Sequence, residues 1–314
     1  MNLFEYFRSE FGVSRTEKLL EKIEAVVPWE ALEKEIKSRR RRNYGGVGRP
    51  FIEVKKLLKC LFLQGLYGLS DPEVEDQLRD RMSFQKFVGV KQAKDIPDET
   101  TICRFRKELT EKGIQEEVFT MTQRILYEMG ITVKEGSMQD ATFIETSKGK
   151  KNKYGKNTRD PEATFVKKVK QTHHGYKAHI ETNLKDPFIL STTFTTAKVH
   201  DSQQQNALMT GEETELYGDS AYGMSPKNNE AYEDCGVKAC FHEKGVRGRP
   251  LTPFQKECNR IKSTVRAKVE HPFAWIKGRY MHRRTSYRGL HKNSMHWFLV
   301  AAIYNFEHLA RKYA

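Results

Sequence analysis

The sequence has little cysteine, five residues in 314, and no long apolar run. Cys60, Cys103, Cys235, Cys240 and Cys258 are odd in number and widely scattered. That excludes a disulfide scaffold and reads as reduced thiols. Cys235, Cys240, His242 and Cys258 lack the CxxC knuckle that a structural zinc site needs. No apolar stretch approaches the ~20 residues of a membrane-spanning helix, so no membrane partner is expected. The first ten residues have neither the basic nor the apolar region of a secretory signal, and a cytoplasmic location is expected. The glycines of Tyr44-Gly-Gly-Val-Gly-Arg-Pro50 lack the lysine and hydroxyl residue of a phosphate-binding loop. Hydrophobic residues make up only 38%, yet 18 Phe, 13 Tyr and 3 Trp supply the bulk for a core. Disorder over long stretches is thereby excluded.

What the chain does have is positive charge. Lys and Arg number 55 against 41 Asp and Glu, a net of +14. Residues 1–134 carry 25 basic and 22 acidic side chains, and residues 135–314 carry 30 and 19. A pI near 9.4 suits a polyanionic partner, nucleic acid first.

The texture divides the chain into three. Residues 1–44 read as a helical segment closed by the basic run Ser38–Arg42. Residues 45–130 read as a set of short helices. Phe51–Tyr67 is densely apolar, Ser70-Asp-Pro-Glu73 is a helix start, Ser83–Val88 is short, and Thr101–Leu109 carries Arg104, Arg106 and Lys107. An arginine-bearing helix among tight turns suits either a helix-turn-helix that reads DNA or an ordinary helical bundle. Residues 131–314 change to mixed texture. Strands are expected at Ser137–Glu145, Gly175–Leu184 and Phe188–Thr196, followed by a helix at Asp201–Met209, a strand at Glu215–Gly218, a helix at Pro226–Cys235 and a strand at Gly236–His242. This points to an α/β layer with a mixed sheet. Lys148–Lys170 holds nine basic and two acidic residues and reads as a mobile basic loop. A long helical stretch is expected over 253–279, with Pro272 kinking or restarting it, and a last one over 293–312.

Three acids stand out by position. Asp140 lies in an otherwise apolar or β-favouring strand, and Asp219 ends a short strand in Tyr217-Gly-Asp-Ser-Ala-Tyr222. Glu270 is one of only two acids among fourteen basic residues between 244 and 292, and reads either as a salt-bridge partner or as a metal ligand. Arg266, Glu270 and Lys277 share one helix face. Arg247-Gly-Arg249-Pro has the form of a minor-groove hook.

These pieces together resemble the insertion-sequence-five group of bacterial transposases. The matching residues are Asp140-Ala-Thr-Phe-Ile, His174-Gly-Tyr-Lys177, Val199-His-Asp-Ser202 and Gly218-Asp-Ser-Ala-Tyr222. A C-terminal Arg266–Glu270–Lys277 spacing also matches, with Tyr287-Arg-Gly-Leu290 after it. Ser263 stands where the family signature has tyrosine. The resemblance implies an RNase-H-like mixed sheet with flanking helices, preceded by an all-helical N-terminal domain. It implies Asp140, Asp219 and Glu270 as catalytic metal ligands for two Mg²⁺ ions, with Mn²⁺ able to substitute. It further implies cleavage at insertion-sequence ends and transfer of the 3′-hydroxyl into target DNA, by a homodimer bound to double-stranded terminal repeats in the bacterial nucleoid. Arg104, Arg106, Arg247, Arg249, Arg266 and Lys277 are the expected DNA contacts. His200 and Asp201 fit either a family motif or a helix cap. A catalytically silent DNA-binding relative, a plain helix-turn-helix regulator and an RNase-H-like nuclease are the alternatives.

Overall fold

The computed structural model describes residues 12–40, 52–134, 136–147, 149–150, 153–154, 159–168, 171–222, 232–246 and 248–314. The chain forms two compact units, Met1–Val118 with Ala302–Ala314, and Phe119–Ala301.

The first unit is helical. Its helices are α1 (Arg15–Val26), α2 (Trp29–Arg40), α3 (Val54–Tyr67), α4 (Asp71–Asp80), α5 (Met82–Val88) and α6 (Glu99–Glu111). The next helix, α7 (Ile114–Glu128), begins in this unit and continues into the second. Ser70 and Glu73 close a reciprocal capping box on α4, and Asp98 caps α6. Such caps satisfy amides that the first helical turn leaves without partners. The core gathers around Trp29, whose ring meets Phe62 at 4.9 Å and Phe87 at 5.7 Å. A polar node ties three helices together. Arg106 of α6 forks onto Asp71 of α4 at 2.5 Å, and Gln64 of α3 donates to the same carboxylate at 2.7 Å.

The second unit is built on a mixed sheet. Its described strands are β1 (Ser137–Glu145), β2 (Thr164–Lys168), β3 (Gln171–Asn183), β4 (Ile189–Thr196), β5 (Glu215–Gly218) and β6 (Lys238–Phe241). The order is β2-β3-β1-β5-β6, with β4 also on β3. β1 runs antiparallel to β3 and parallel to β5. β2 and β4 take successive parts of the same β3 edge. A mixed α/β sheet behind a helical N-terminal region is the expected fold class. Helices α8 (Gln205–Leu208), α9 (Pro253–Arg266), α10 (Glu270–Gly278) and α11 (Leu290–Tyr313) flank it. Trp297 of α11 covers one face, donating to Thr192 Oγ1 at 2.7 Å. Leu216, Tyr222, Tyr232, Val237 and Phe241 form an apolar cluster at the β5–β6 end.

Two expectations need correction. The basic stretch 148–170 is not all loop, because β2 occupies Thr164–Lys168. Its two acids both tie it down. Asp160 Oδ2 accepts from the Tyr176 hydroxyl at 2.9 Å and the Gly289 amide at 3.2 Å. Glu162 accepts from the Leu290 amide at 2.8 Å, at the start of α11. Residues 201–208 form a single 3-10 turn and a four-residue helix, less than the helix expected. The 253–279 stretch is interrupted, as expected, by a 3-10 turn over Ala267–Val269. Proline at 272 lacks an amide proton, and its ring would strike the Lys268 carbonyl of a continuous helix. The helix therefore restarts at Glu270, which places Pro272 in a first turn where no amide partner is needed. The helix expected at 226–235 falls largely on residues outside the description.

Gly175, within the His174-Gly-Tyr-Lys177 motif, explains itself by packing. A Cβ there would be driven into the Ile144 carbonyl oxygen of β1. We expect Gly175→Ala to cost about 1–3 kcal/mol, the usual range for overpacking. Urea denaturation checks this, and an unchanged midpoint would mean the β1–β3 approach is looser than described.

Candidate active site

Asp140 and Asp219 are brought together by strand register. In the parallel β1–β5 pair, Ser137 lies beside Leu216 and Met138 beside Tyr217. Two residues further along both strands stand Asp140 and Asp219. β5 ends at Gly218, so Asp219 begins the following turn. Its Oδ1 accepts from the Ala221 amide at 2.8 Å, a side-chain-closed turn that carries Tyr222 into the apolar cluster.

Asp140 is the electrostatically costly member of the pair. Its side chain is 14% exposed. Burial pushes its carboxyl up to about 6, against the pull of the Arg266 guanidinium, and the negative charges of Asp219 and Asp201 push the same way. Arg266 Nη2 lies 3.6 Å from Asp140 Oδ2. The Tyr222 hydroxyl is buried with no hydrogen-bond partner among the described residues. Burial raises that phenol, and the charges of Asp140, Asp201 and Asp219 raise it further.

Glu270 stands apart. It is exposed, at the first position of α10, where an acid is favoured by the helix dipole. Among the described residues no three His, Cys, Asp or Glu side chains are gathered closely enough to hold one metal ion. The donor chemistry at Asp140 and Asp219 nonetheless fits a hard divalent cation: two neighbouring carboxylates, one buried, with only Arg266 as a described cation against Asp140. Glu270 follows Arg266 by four residues on the same segment, and the 3-10 turn between them packs on β1.

A cleft of about 610 Å³ opens beside β1. Ala141, Thr142 and Phe143 form part of its wall, and its charged lining is mostly basic: Lys167, Lys177, Lys277 and Arg283 against Glu145 and Asp201.

Residues 133–306 match the family described as Transposase DDE domain, which is more than half of the chain. The chain belongs to the DDE transposases. Residues 10–108 match a second family, described as Transposase domain (DUF772). Among solved structures the chain is similar to a piggyBac transposase in a cryo-electron-microscopy synaptic complex with hairpin DNA. The identity is 11%, over 93% of this chain and 74% of that one, with a TM-score of 0.41. A TM-score that low leaves the assignment to the two sequence families.

The remaining candidate residues of this transposase are dispersed. Arg266 faces Asp140, and Lys277 lines the cleft. Arg104 is exposed on α6, whereas Arg106 is committed to Asp71. Arg249 is exposed in a tight turn closed by mutual backbone bonds with Val246, and Arg247 lies outside the described residues. Ser263, at the signature's tyrosine position, lies 2.9 Å from His242 Nε2. The other nitrogen of that ring reaches the Gly218 carbonyl at 3.2 Å. The serine thus ties α9 to the strand end that carries Asp219. Lys177 and Asp201, which the sequence marked only as motif positions, bond to each other at 2.9 Å in the cleft wall. The signal for Lys177 was a lysine inside a strand otherwise rich in buried residues. No described helix is long and apolar enough to cross a membrane.

Proposed function

We propose that this chain is an insertion-sequence transposase of the insertion-sequence-five group, cutting DNA at the element's ends and joining the freed 3′-hydroxyl to a target. The observation that carries this reading is the parallel register that sets Asp140, within β1, beside Asp219 at the end of β5, with a basic cleft next to β1. Asp140 and Asp219 would hold Mg²⁺, or Mn²⁺ in its place, and Glu270 would join them as third ligand only by leaving the exposed position described above. Bound ions supply an activated attacking oxygen and charge stabilisation at the leaving oxygen. The chain's own residues do the rest. Arg266, 3.6 Å from Asp140, offsets the charge of that carboxylate. Lys277 and the other cleft cations hold the phosphodiester backbone. No side-chain nucleophile is called for, because water and the DNA 3′-hydroxyl serve in turn.

In this reading residues 45–130 recognise terminal-repeat DNA, preceded by the helical segment 1–44, and residues 131–314 carry the chemistry. Cutting and joining two ends favours a homodimer. Cleavage of a duplex bearing the inverted repeats that flank the gene, with and without Mg²⁺, tests the proposal. Metal-dependent nicking at the repeat ends is the expected result. Nicking confined to RNA–DNA hybrids would make it an RNase-H-like nuclease, and binding without nicking would make it a silent relative.

Binding should also weaken steeply with salt. Each neutralised phosphate contributes a log–log slope of about −0.9, so the four cleft cations alone predict a slope near −3.6. Anisotropy titrations between 50 and 200 mM salt, roughly the range over which such contacts are usually resolved, give the slope. A nearly flat response would remove the cleft as a DNA track.

A further inference from the structure

We propose that α9 is a self-association helix. Its outward apolar stripe of Phe254, Cys258, Ile261 and Val265 pairs antiparallel with the same stripe on a second copy of this chain. The inference rests on the transposase reading above, in which two DNA ends call for two copies, and names the surface that joins them.

The observation is that α9 docks by its polar side. An amphipathic surface helix ordinarily buries its apolar stripe. Here no residue of Pro253–Arg266 is buried. Lys262 Nζ donates to the Phe241 carbonyl at 2.8 Å, Asn259 Nδ2 donates to the Glu243 carbonyl at 2.9 Å, and Ser263 lies 2.9 Å from His242 Nε2. Arg266 reaches Asp140 from the same side of the helix. Residues 254, 258, 261 and 265 follow one another by four, three and four, which sets them on a different stripe. Phe254 is 77% exposed, more than any other large hydrophobic side chain among the described residues, and Ile261 is 57% exposed. Cys258 and Val265 are half-buried. An apolar stripe turned outward on a helix that polar bonds hold in place marks an interface.

Volume and charge select a second copy as the occupant. An antiparallel pair centred between residues 259 and 260 sets Phe254 against Val265 and Cys258 against Ile261. Every layer then joins one large and one small side chain, as an evenly filled seam requires. A parallel pair would stack Phe254 on itself and Cys258 on itself, leaving one layer overfull and the next hollow. The borders of the stripe are self-compatible as well. Across the antiparallel seam Glu257 meets Thr264, and Gln255 meets Lys262, so no like charges oppose each other. DNA fits this stripe poorly. Glu257 stands at its border, Arg260 is already paired with Glu257 at 2.7 Å, and Lys262 is held by the Phe241 carbonyl. Four side chains from each copy fall short of the roughly 20–30 residues a side of a standard interface. The free chains therefore form a weak dimer that bound DNA ends complete. The seam also links the two active centres, because Arg266 follows Val265 directly and faces Asp140.

The test is sedimentation equilibrium of the full chain at about 1 M salt, where repulsion between chains of net charge +14 is screened within ~3 Å. The wild type should show a monomer–dimer equilibrium. Phe254→Ser/Ile261→Ser should weaken it about 100-fold. Its melting temperature should be unchanged at dilutions where the wild type is monomeric. Register is read by oxidation with copper–phenanthroline in a Cys103→Ser/Cys235→Ser background. There Ile261→Cys should yield a disulfide-linked dimer that disappears when Cys258→Ser is added. A wild type that stays monomeric up to about 100 μM overturns the proposal, as does a double variant that associates like the wild type. A lowered melting temperature of the dilute double variant would show that its own chain covers the stripe. Unchanged association with lost DNA affinity would make DNA the occupant. A cross-link that survives Cys258→Ser would overturn the antiparallel seam. Association is read without cleavage. A chain that dimerises through α9 yet never nicks DNA sinks only the transposase reading, and a chain that nicks while its association ignores α9 sinks only this inference.

Discussion

Asp140→Asn should lower end cleavage by about 10³-fold while raising the unfolding temperature of the metal-free protein. The first effect follows because a carboxylate that holds a catalytic cation acts in the transition state, where removing one preorganised electrostatic group costs about 10²–10³ in rate. The second follows from its titration. The Asp140 carboxyl is raised from an ordinary 3.8 to about 6. A raised acid binds its proton more tightly in the folded state than in the unfolded one. Its ionisation therefore costs stability that accumulates as pH rises from about 4 to about 6 and stays lost above that. The shift corresponds to about 3 kcal/mol, and an amide of the same shape avoids the charge. Cleavage by the wild type should in turn fall as pH drops through about 6, where the free enzyme takes up the proton. A third readout involves no activity. Mg²⁺ or Mn²⁺ should raise the melting temperature of the wild type and have little effect on Asp140→Asn, since ligands stabilise only the state that binds them. Asp219→Asn should share the loss of cleavage. Near wild-type cleavage by either variant would withdraw that residue from the site.

The second large effect is on stability. Arg106→Ala should destabilise the helical unit by about 3–5 kcal/mol, because it leaves Asp71 as a partly buried charge without its guanidinium. The side chains of Arg106 and Asp71 are only 13% and 16% exposed. Burial by itself would raise the Asp71 carboxyl, but the Arg106 fork and Gln64 hold it below its ordinary value. That depressed value supplies stability at neutral pH, which is lost as acid protonates the carboxylate in the folded state. Guanidinium denaturation of Arg106→Ala and of Arg104→Ala separates the two residues. Arg104, exposed on the same helix, should change melting little, and terminal-repeat preference is where its loss should register. An Arg106→Ala chain with unchanged stability and lost preference for repeat ends would mean that its guanidinium faces DNA after all.

Several features were legible from the sequence because they are local. Helix starts such as Ser70-Asp-Pro-Glu73 encode their own caps, and the predicted helix at Thr101–Leu109 lies within Glu99–Glu111. Alternation marked β1, the turn chemistry of Lys185-Asp-Pro187 marked the β3–β4 pair, and an acid among strand-forming residues drew attention to Asp140. Pro272 announced an interruption in its helix through chemistry it carries alone. Charge asymmetry and motif order led to the transposase resemblance, and the matched family agrees with it at the level of DDE transposases.

Other features were settled only by residues far apart in the chain. Asp140 and Asp219 are neighbours because a parallel register aligns two strands separated by about seventy residues of sequence, and no local pattern encodes a register. Arg106 looked like a DNA contact on its own helix, but Asp71, 35 residues earlier, claims its guanidinium. The basic stretch before β3 looked mobile by composition, yet its two acids find amides more than a hundred residues later, at Gly289 and Leu290. Lys177 and Asp201 were separate motif letters until the fold put an ammonium 2.9 Å from a carboxylate. Periodicity, capping and charge balance act over a few residues and can be read in order. Register, ion-pair choice and burial depend on which distant atoms arrive first within hydrogen-bonding distance, and only the tertiary structure determines that.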